Sequence, residues 1–211
     1  MMDNALIIFI KNPVKGKVKT RIARTVGDDR ALAIYLELSK ITRENVLLLR
    51  GVKIYLFYSD FIATDDDWSN TDFDKQVQVG EDLGERMSNA FDFVLKKHKY
   101  ACIIGSDCPT LSVQIMQQAF VELSTYDYVL GPSTDGGYYL LGIKSHAKHA
   151  LKSMESFHDL FENMTWSTDQ VLSETLERIK KNHLTVFLLS ELTDIDEEED
   201  WLIFQKNSQI N

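Results

Sequence analysis

Short apolar runs that alternate with longer amphipathic stretches set the strongest limit on how this chain folds. Ala5-Leu-Ile-Ile-Phe-Ile10 is apolar at every position, which suits a strand buried on both faces, as the strands of parallel sheets are. Further strands are expected over residues 53–58, 76–79, 100–104, 126–130, 138–143 and 184–189. Helices are expected between them over residues 28–50, 83–97, 112–123, 168–181 and 198–205, with a short one over 20–26 closed by Gly27. Within 83–97, for example, Met87, Ala90, Phe91 and Val94 recur at helical spacing. Strands alternating with helices predict an α/β fold, a mostly parallel sheet covered on both faces. Ligands in such sheets sit at the carboxyl ends of the strands, near a reversal of strand order. Chemistry is therefore sought just after strands.

All three prolines (Pro13, Pro109, Pro132) fall just after expected strands, and five of the ten glycines lie between residues 105 and 142. After Ile143 there is neither Gly nor Pro, so the last third reads as cover and support. With no repeat, low-complexity tract or linker in its 211 residues, the chain (1–211) is read as a single domain. A chain of this length buries a core without disulfides or a structural metal. Cys102 and Cys108 make no C-x-x-C pair, which fits a reducing, cytoplasmic setting. The six-residue run 5–10 falls far short of the roughly 20 apolar residues of a membrane span. Met1-Met2-Asp3 lacks the basic stretch of a secretory signal.

The net charge of −9 argues against a general nucleic-acid binder. Yet residues 11–24 hold six basic residues (Lys11, Lys15, Lys17, Lys19, Arg21, Arg24) and no acidic one, while the rest carries 17 basic against 32 acidic residues. Because screening acts over about 8 Å at physiological salt, such an island can bind a small polyanion that the whole chain would repel. It follows a buried strand and leads into a short helix, a context in which backbone N–H groups, lysines and arginines cradle phosphate. Val18 stands where a Walker A loop needs Gly, so this is not that motif.

Two further segments follow strands. In Gly105-Ser-Asp-Cys-Pro109, Asp107 either caps a turn or serves as a ligand for Mg²⁺ or Mn²⁺, completed by waters and substrate phosphates. Cys108 beside it reads as a small buried residue, since no adjacent His suggests an activating base. Asp135-Gly136-Gly137 is either a hairpin turn or a loop whose glycines let backbone approach a ligand.

Three weaker features remain. Thr165-Trp-Ser-Thr-Asp169 suits a helix start with Ser167 or Thr168 as its cap, or Trp166 covers a sugar or base. The acidic run from Asp194 to Asp200 suits a capped helix start, or supplies a second metal carboxylate from Asp194 or Asp196. His146 and His149 read as surface residues, and Asp65 to Asp67 as a solvated loop.

Taken in order, Pro13-x-x-Gly-x-x-Lys-Thr-Arg21, Leu83-Gly-Glu-Arg-Met87, Gly105-Ser-Asp-Cys-Pro109, Asp135-Gly-Gly-Tyr-Tyr-Leu140 and Trp166-Ser-Thr-Asp169 resemble a bacterial glycosyltransferase family associated with radical-SAM proteins and arsenosugar biosynthesis. More distantly, the chain is similar to molybdenum-cofactor and phospholactate guanylyltransferases. The resemblance implies a three-layer α/β/α sandwich with a mostly parallel mixed sheet, the nucleotide-diphospho-sugar transferase (GT-A) fold.

It also implies a metal-dependent glycosyltransferase acting on a nucleotide sugar and a small-molecule acceptor. The alternatives are a nucleotidyltransferase using a nucleoside triphosphate and a phosphorylated acceptor, or a catalytically silent nucleotide-binding protein. Lys11, Gly16, Lys19, Thr20 and Arg21 would then face nucleotide phosphates, with Lys19 also catalytic. Asp107 would hold Mg²⁺ or Mn²⁺, with Asp196 as a possible second ligand. Asp135 would orient the acceptor or act as base, and Gly136, Gly137, Tyr138 and Trp166 would line the sugar or acceptor side. Arg86 would either lie near the site or pair with a neighbouring carboxylate. Relatives tend to read Asp-x-Asp-Thr-Pro-Glu-Asp where this chain has Glu197-Glu198 in place of Thr-Pro, a departure that bears on Asp196.

Overall fold

In the computed structural model, which describes residues 2–145 and 157–208, the strands are β1 (Asn4–Ile10), β2 (Val52–Tyr58), β3 (Phe73–Val77), β4 (Tyr100–Ile104), β5 (Tyr128–Pro132), β6 (Tyr138–Lys144) and β7 (Val186–Leu188). The helices are α1 (Thr20–Val26), α2 (Asp28–Leu47), α3 (Leu83–Leu95), α4 (Val113–Glu122), α5 (Val171–Lys181) and α6 (Glu198–Ser208). All seven strands join one sheet in the order β3-β2-β1-β4-β6-β5-β7. Only β6 runs against its neighbours; the other strand pairs are parallel. The chain steps outward from β1 to β2 and β3, then returns past β1 to β4. Strand order therefore reverses between β1 and β4, which opens a crevice at their carboxyl ends.

The two-residue period of a strand explains why β1 is apolar throughout. Leu6, Ile8 and Ile10 enter the core beneath α2 and α4, together with Val46, Met116, Ala119 and Phe120. Ala5 and Ile7 point to the opposite face and pack with Met87, Phe91 and Val94 of α3 and Ile179 of α5. The result is the expected three-layer α/β/α sandwich. A smaller third cluster joins Ile22 of α1 and Ala31, Ile34 and Leu38 of α2 to Ile195 and Trp201. It docks α6 at the crevice and fixes the segment before it. Among the described residues no helix is long and apolar enough to cross a membrane, and Cys102 and Cys108 are free and buried.

Several elements differ from the sequence expectation for identifiable reasons. β3 begins at Phe73 rather than residue 76, because Phe73 is buried and packs edge-to-face on Trp68. The polar look of Asp74-Lys75 hid this strand. Lys75 is satisfied by the Asp66 carboxylate at 2.8 Å and the Ala63 carbonyl at 3.1 Å. Asp66 is thus no solvated residue, since it also accepts the Tyr58 hydroxyl at 2.5 Å. β5 spans 128–132 rather than 126–130, since Asp127 instead accepts Thr185 N–H and hydroxyl. The fifth helix begins at Val171, and neither Ser167 nor Thr168 caps it. Leu172 N–H, near its start, donates to the Gly136 carbonyl at 2.9 Å, so a hairpin from elsewhere in the chain does that work. β7 shrinks to three residues. His146 and His149 lie outside the described residues.

The β5–β6 connection is a true hairpin. Gly136 N–H donates to the Ser133 carbonyl at 3.0 Å, and Asp135 Oδ1 accepts Gly137 N–H at 3.0 Å and the Ser133 hydroxyl. Gly136 has φ +87°, and a Cβ there would run into the Asp169 backbone. A left-handed side chain costs about 1–2 kcal/mol, and overpacking typically adds about 1–3 kcal/mol. Gly136→Ala is therefore expected to lose more than about 2 kcal/mol in urea unfolding, and an unchanged midpoint would contradict this account of the turn.

Candidate active site

The crevice is a cavity of about 510 Å³ whose walls come from the ends of β1 and β4, the β5–β6 hairpin, the start of α3 and the segments before α5 and α6. Its lining divides by chemistry. Lys11, Lys19, Thr20, Arg21, Tyr35 and the carboxylates Asp107, Asp135, Asp194 and Asp196 make it polar; Phe9, Leu83, Met87, Tyr138, Trp166 and Val171 make it apolar.

The basic loop after β1 reaches directly into the acidic side. Lys19 Nζ lies 2.6 Å from Asp107 Oδ1, 2.6 Å from the Ile195 carbonyl and 3.8 Å from Asp196 Oδ1. Arg21 Nη1 lies 3.2 Å from Asp196 Oδ2. Lys19 precedes α1 with φ 45° and ψ 47°, a left-handed backbone that a non-glycine residue adopts at a cost. Its carbonyl accepts Ala23 N–H at 2.9 Å. The root of the loop is fixed by Tyr35, which donates its hydroxyl proton to the Lys11 carbonyl (2.6 Å) and accepts Lys11 N–H (2.9 Å). Buried Asn12 ties the same root to the chain after β2, taking N–H groups of Asp60 (3.0 Å) and Phe61 (3.3 Å).

A second set of bonds carries the distant acidic segment to Asp107. Leu192 N–H donates to the Pro132 carbonyl at 3.0 Å, Thr134 N–H to the Leu192 carbonyl at 3.0 Å, and Ile195 N–H to the Asp107 carbonyl at 2.8 Å. Asp194 is thereby held near Asp107, Asp135 and Asp196. Burial first, and those three negative charges second, push its carboxyl up to about 7. Cys108 lies against the same group, and burial pushes its thiol up to about 12, as befits a buried residue that is not a nucleophile.

Asp200 supplies the helix cap that the acidic run suggested. Its Oδ2 accepts the N–H groups of Asp196 (3.1 Å) and Glu197 (2.8 Å), so Asp200 caps α6. Asp196 itself is left to face the cavity. Replacement of Thr-Pro by Glu197-Glu198 leaves both the cap and the placement of Asp196 intact.

Of the residues singled out from sequence, Lys11, Lys19, Thr20, Arg21, Asp107, Asp135, Gly137, Tyr138, Trp166 and Asp196 line this one cavity. Gly16, Gly136 and Arg86 stand outside the lining as described. Gly16 sits in the outer part of the basic loop with φ +77°, Gly136 holds the hairpin against α5, and Arg86 Nε donates to the Gly80 carbonyl at 3.0 Å. Trp166 stacks on Phe161 and lies so close to Gly84 that a Cβ there would meet its indole at 2.8 Å. Sequence reasoning missed Tyr35, which it read only as an apolar position of the helix, and Gln78, whose amide donates to the Ile10 (3.2 Å) and Phe57 (3.1 Å) carbonyls. Neither carries a local signal, because its role depends on which strand ends lie opposite.

Known structures share this arrangement of elements. A crystal structure from Desulfovibrio desulfuricans G20, provisionally named a nucleotide-diphospho-sugar transferase, is 28% identical with a TM-score of 0.83, over 93% of this chain and 84% of that one. A 4-diphosphocytidyl-2C-methyl-D-erythritol synthase from Anaerococcus prevotii DSM 20548 is similar in fold, at 10% identity and a TM-score of 0.62 over 97% of this chain and 95% of its own. So is Rv0371c of Mycobacterium tuberculosis H37Rv in complex with manganese, at 10% identity and a TM-score of 0.53 over 96% and 98%. No curated protein matches the sequence. Residues 42–168, more than half of the chain, match the family described as "Uncharacterized protein conserved in bacteria (DUF2064)", and the chain belongs to that family.

Proposed function

We propose that the chain is a metal-dependent glycosyltransferase that moves a sugar from a nucleotide-diphospho-sugar to a small acceptor. The observation that carries this reading is the meeting of the basic loop with Asp107 and Asp196 inside one cavity, with Lys19 Nζ 2.6 Å from Asp107 Oδ1. The provisional name of the Desulfovibrio structure supports the donor class, and the family resemblance seen in the motifs supports the reaction type.

The donor set fits Mg²⁺ or Mn²⁺. Carboxylate oxygens are the hard ligands these ions take, and Asp107, Asp194 and Asp196 all line the cavity. Asp107 and Asp196 would hold the ion. Among the described residues no group of three or more carboxylate, His or Cys side chains is placed to hold a metal ion, so waters and substrate phosphates would have to complete its coordination. When bound, such an ion would offset charge on the departing nucleoside diphosphate. Lys11, Lys19 and Arg21 would meet the diphosphate with preorganised positive charge. Asp135, whose two hairpin hydrogen bonds both fall on Oδ1, would orient the acceptor hydroxyl and receive its proton as the bond from sugar to diphosphate breaks. Trp166 would cover the sugar or base.

A second reading, nucleotidyl transfer with release of pyrophosphate, is favoured by the nearly full-length fold likeness to the Anaerococcus synthase. It needs the same cation and the same basic loop. Labelled nucleotide sugars and nucleoside triphosphates separate the two, because pyrophosphate release without sugar transfer supports the second reading and contradicts the first. Before any turnover assay, a nucleotide at 100 times its Kd should stabilise the chain by about 2.7 kcal/mol. Thermal shifts across a nucleotide panel with and without Mn²⁺ should reveal a metal-dependent gain that Asp107→Asn removes. A gain that survives this change would contradict the assignment of Asp107.

Asp194 gives a separate expectation for the metal-free chain. Its carboxyl rises from 3.8 to about 7 on folding, so the folded state keeps a proton that the unfolded chain releases. The associated stability is full below about 4 and lost as pH rises through about 7. In EDTA, Asp194→Asn should raise Tm relative to the parent more at pH 8 than at pH 5. Equal shifts at both pH values would show that Asp194 ionises normally.

A further inference from the structure

Lys19 is placed unlike the other basic residues of its loop. Lys15 pairs with Asp29 at the surface with over half its side chain exposed, and Arg21 is exposed to a similar degree. The Lys19 side chain is 7% exposed and lies below the rim of the cavity. Its ammonium is surrounded by the oxygens of Asp107, Ile195 and Asp196. Two carboxylates and a backbone carbonyl form a cation's ligand set, and here a cation from the chain already occupies it. The Ile195 carbonyl belongs to a residue whose N–H is bonded to the Asp107 carbonyl, so these oxygens form one connected unit.

We infer that Lys19 is a resident stand-in for the divalent cation and keeps the carboxylate site closed to free metal until a nucleotide diphosphate draws its ammonium away. The inference rests on the proposed cation site and says what governs its filling. An ammonium has three donors and no acceptor, so Lys19 exchanges one set of oxygens for another without leaving a buried group unpaired. Phosphate oxygens supply that other set. Metal and nucleotide then favour each other's binding, because the nucleotide vacates the seat the metal takes. By linkage, each raises the other's affinity by the same factor. A lysine that served only to bind phosphate would not compete with the metal in the nucleotide-free chain.

The test is Mn²⁺ binding to the full-length chain without nucleotide, followed by the loss of the free-ion EPR signal. Lys19→Met should bind Mn²⁺ about tenfold or more tightly than the parent. Lys15→Met, which removes an equal but exposed charge paired with Asp29 and outside the cavity lining, should change affinity by less than about threefold. Lys19→Gln, which keeps a polar head without charge, should also tighten binding and covers the case in which Lys19→Met fails to fold. Adding Asp107→Asn to either Lys19 variant should abolish the gain. Parent binding that depends on Asp107 but is not tightened by either Lys19 change would overturn this inference and leave the proposed site standing. The same holds if Lys15→Met tightens binding as much as Lys19→Met, since the effect would then be net charge alone. Absence of Mn²⁺ binding in the parent and both Lys19 variants, with and without nucleotides, would overturn the cation site itself.

Discussion

The cavity depends on a contact between residues far apart in sequence, the ammonium of Lys19 against the carboxylate of Asp107. One follows β1 and the other follows β4, the parallel neighbours between which the strand order reverses. Asp194 and Asp196 are brought to the same place by the hydrogen bonds of residues 192–195 and by the docking of α6 through Trp201. Several carboxylates at one sheet end repel one another, and burial first, with that repulsion second, raises the Asp194 carboxyl. Lys19 and Arg21 offset it from the opposite wall. Structure and chemistry therefore share the same charges: what holds the crevice together without ligands is what would grip a metal and a diphosphate.

Where the sequence was legible, the reason is local. β1, β2 and β4 sit inside the sheet, so nearly every side chain along them is apolar, and their ranges could be read within a few residues. The amphipathic period of α3 was equally plain, whereas the Asp-Gly-Gly segment could be read either as a turn or as a loop against a ligand. Most of the cavity lining was legible too, because strand-end positions of a parallel sheet are known before the fold is. Elements whose stability comes from distant partners were not. The first residues of β3 were missed because its lysine is satisfied by a carboxylate nine residues earlier. The start of α5 was misplaced because a carbonyl of the hairpin, and no nearby Ser or Thr, takes its early N–H.

The basic island teaches a similar lesson. Its composition marked an anion site, and the loop does lie at the cavity. In the ligand-free chain, however, Lys19 and Arg21 are turned toward aspartates. Composition identifies which charges are available, while the fold decides what they face. In the acidic run the sequence offered a helix cap or a second metal carboxylate; Asp200 forms the cap, and Asp194 and Asp196 line the cavity.

Anomalous diffraction from crystals grown with Mn²⁺ and a nucleotide tests the central claim most directly. The account predicts a manganese peak between Asp107 and Asp196, with the phosphates against Lys19 and Arg21. A peak elsewhere, or phosphates bound away from the loop after β1, would contradict it.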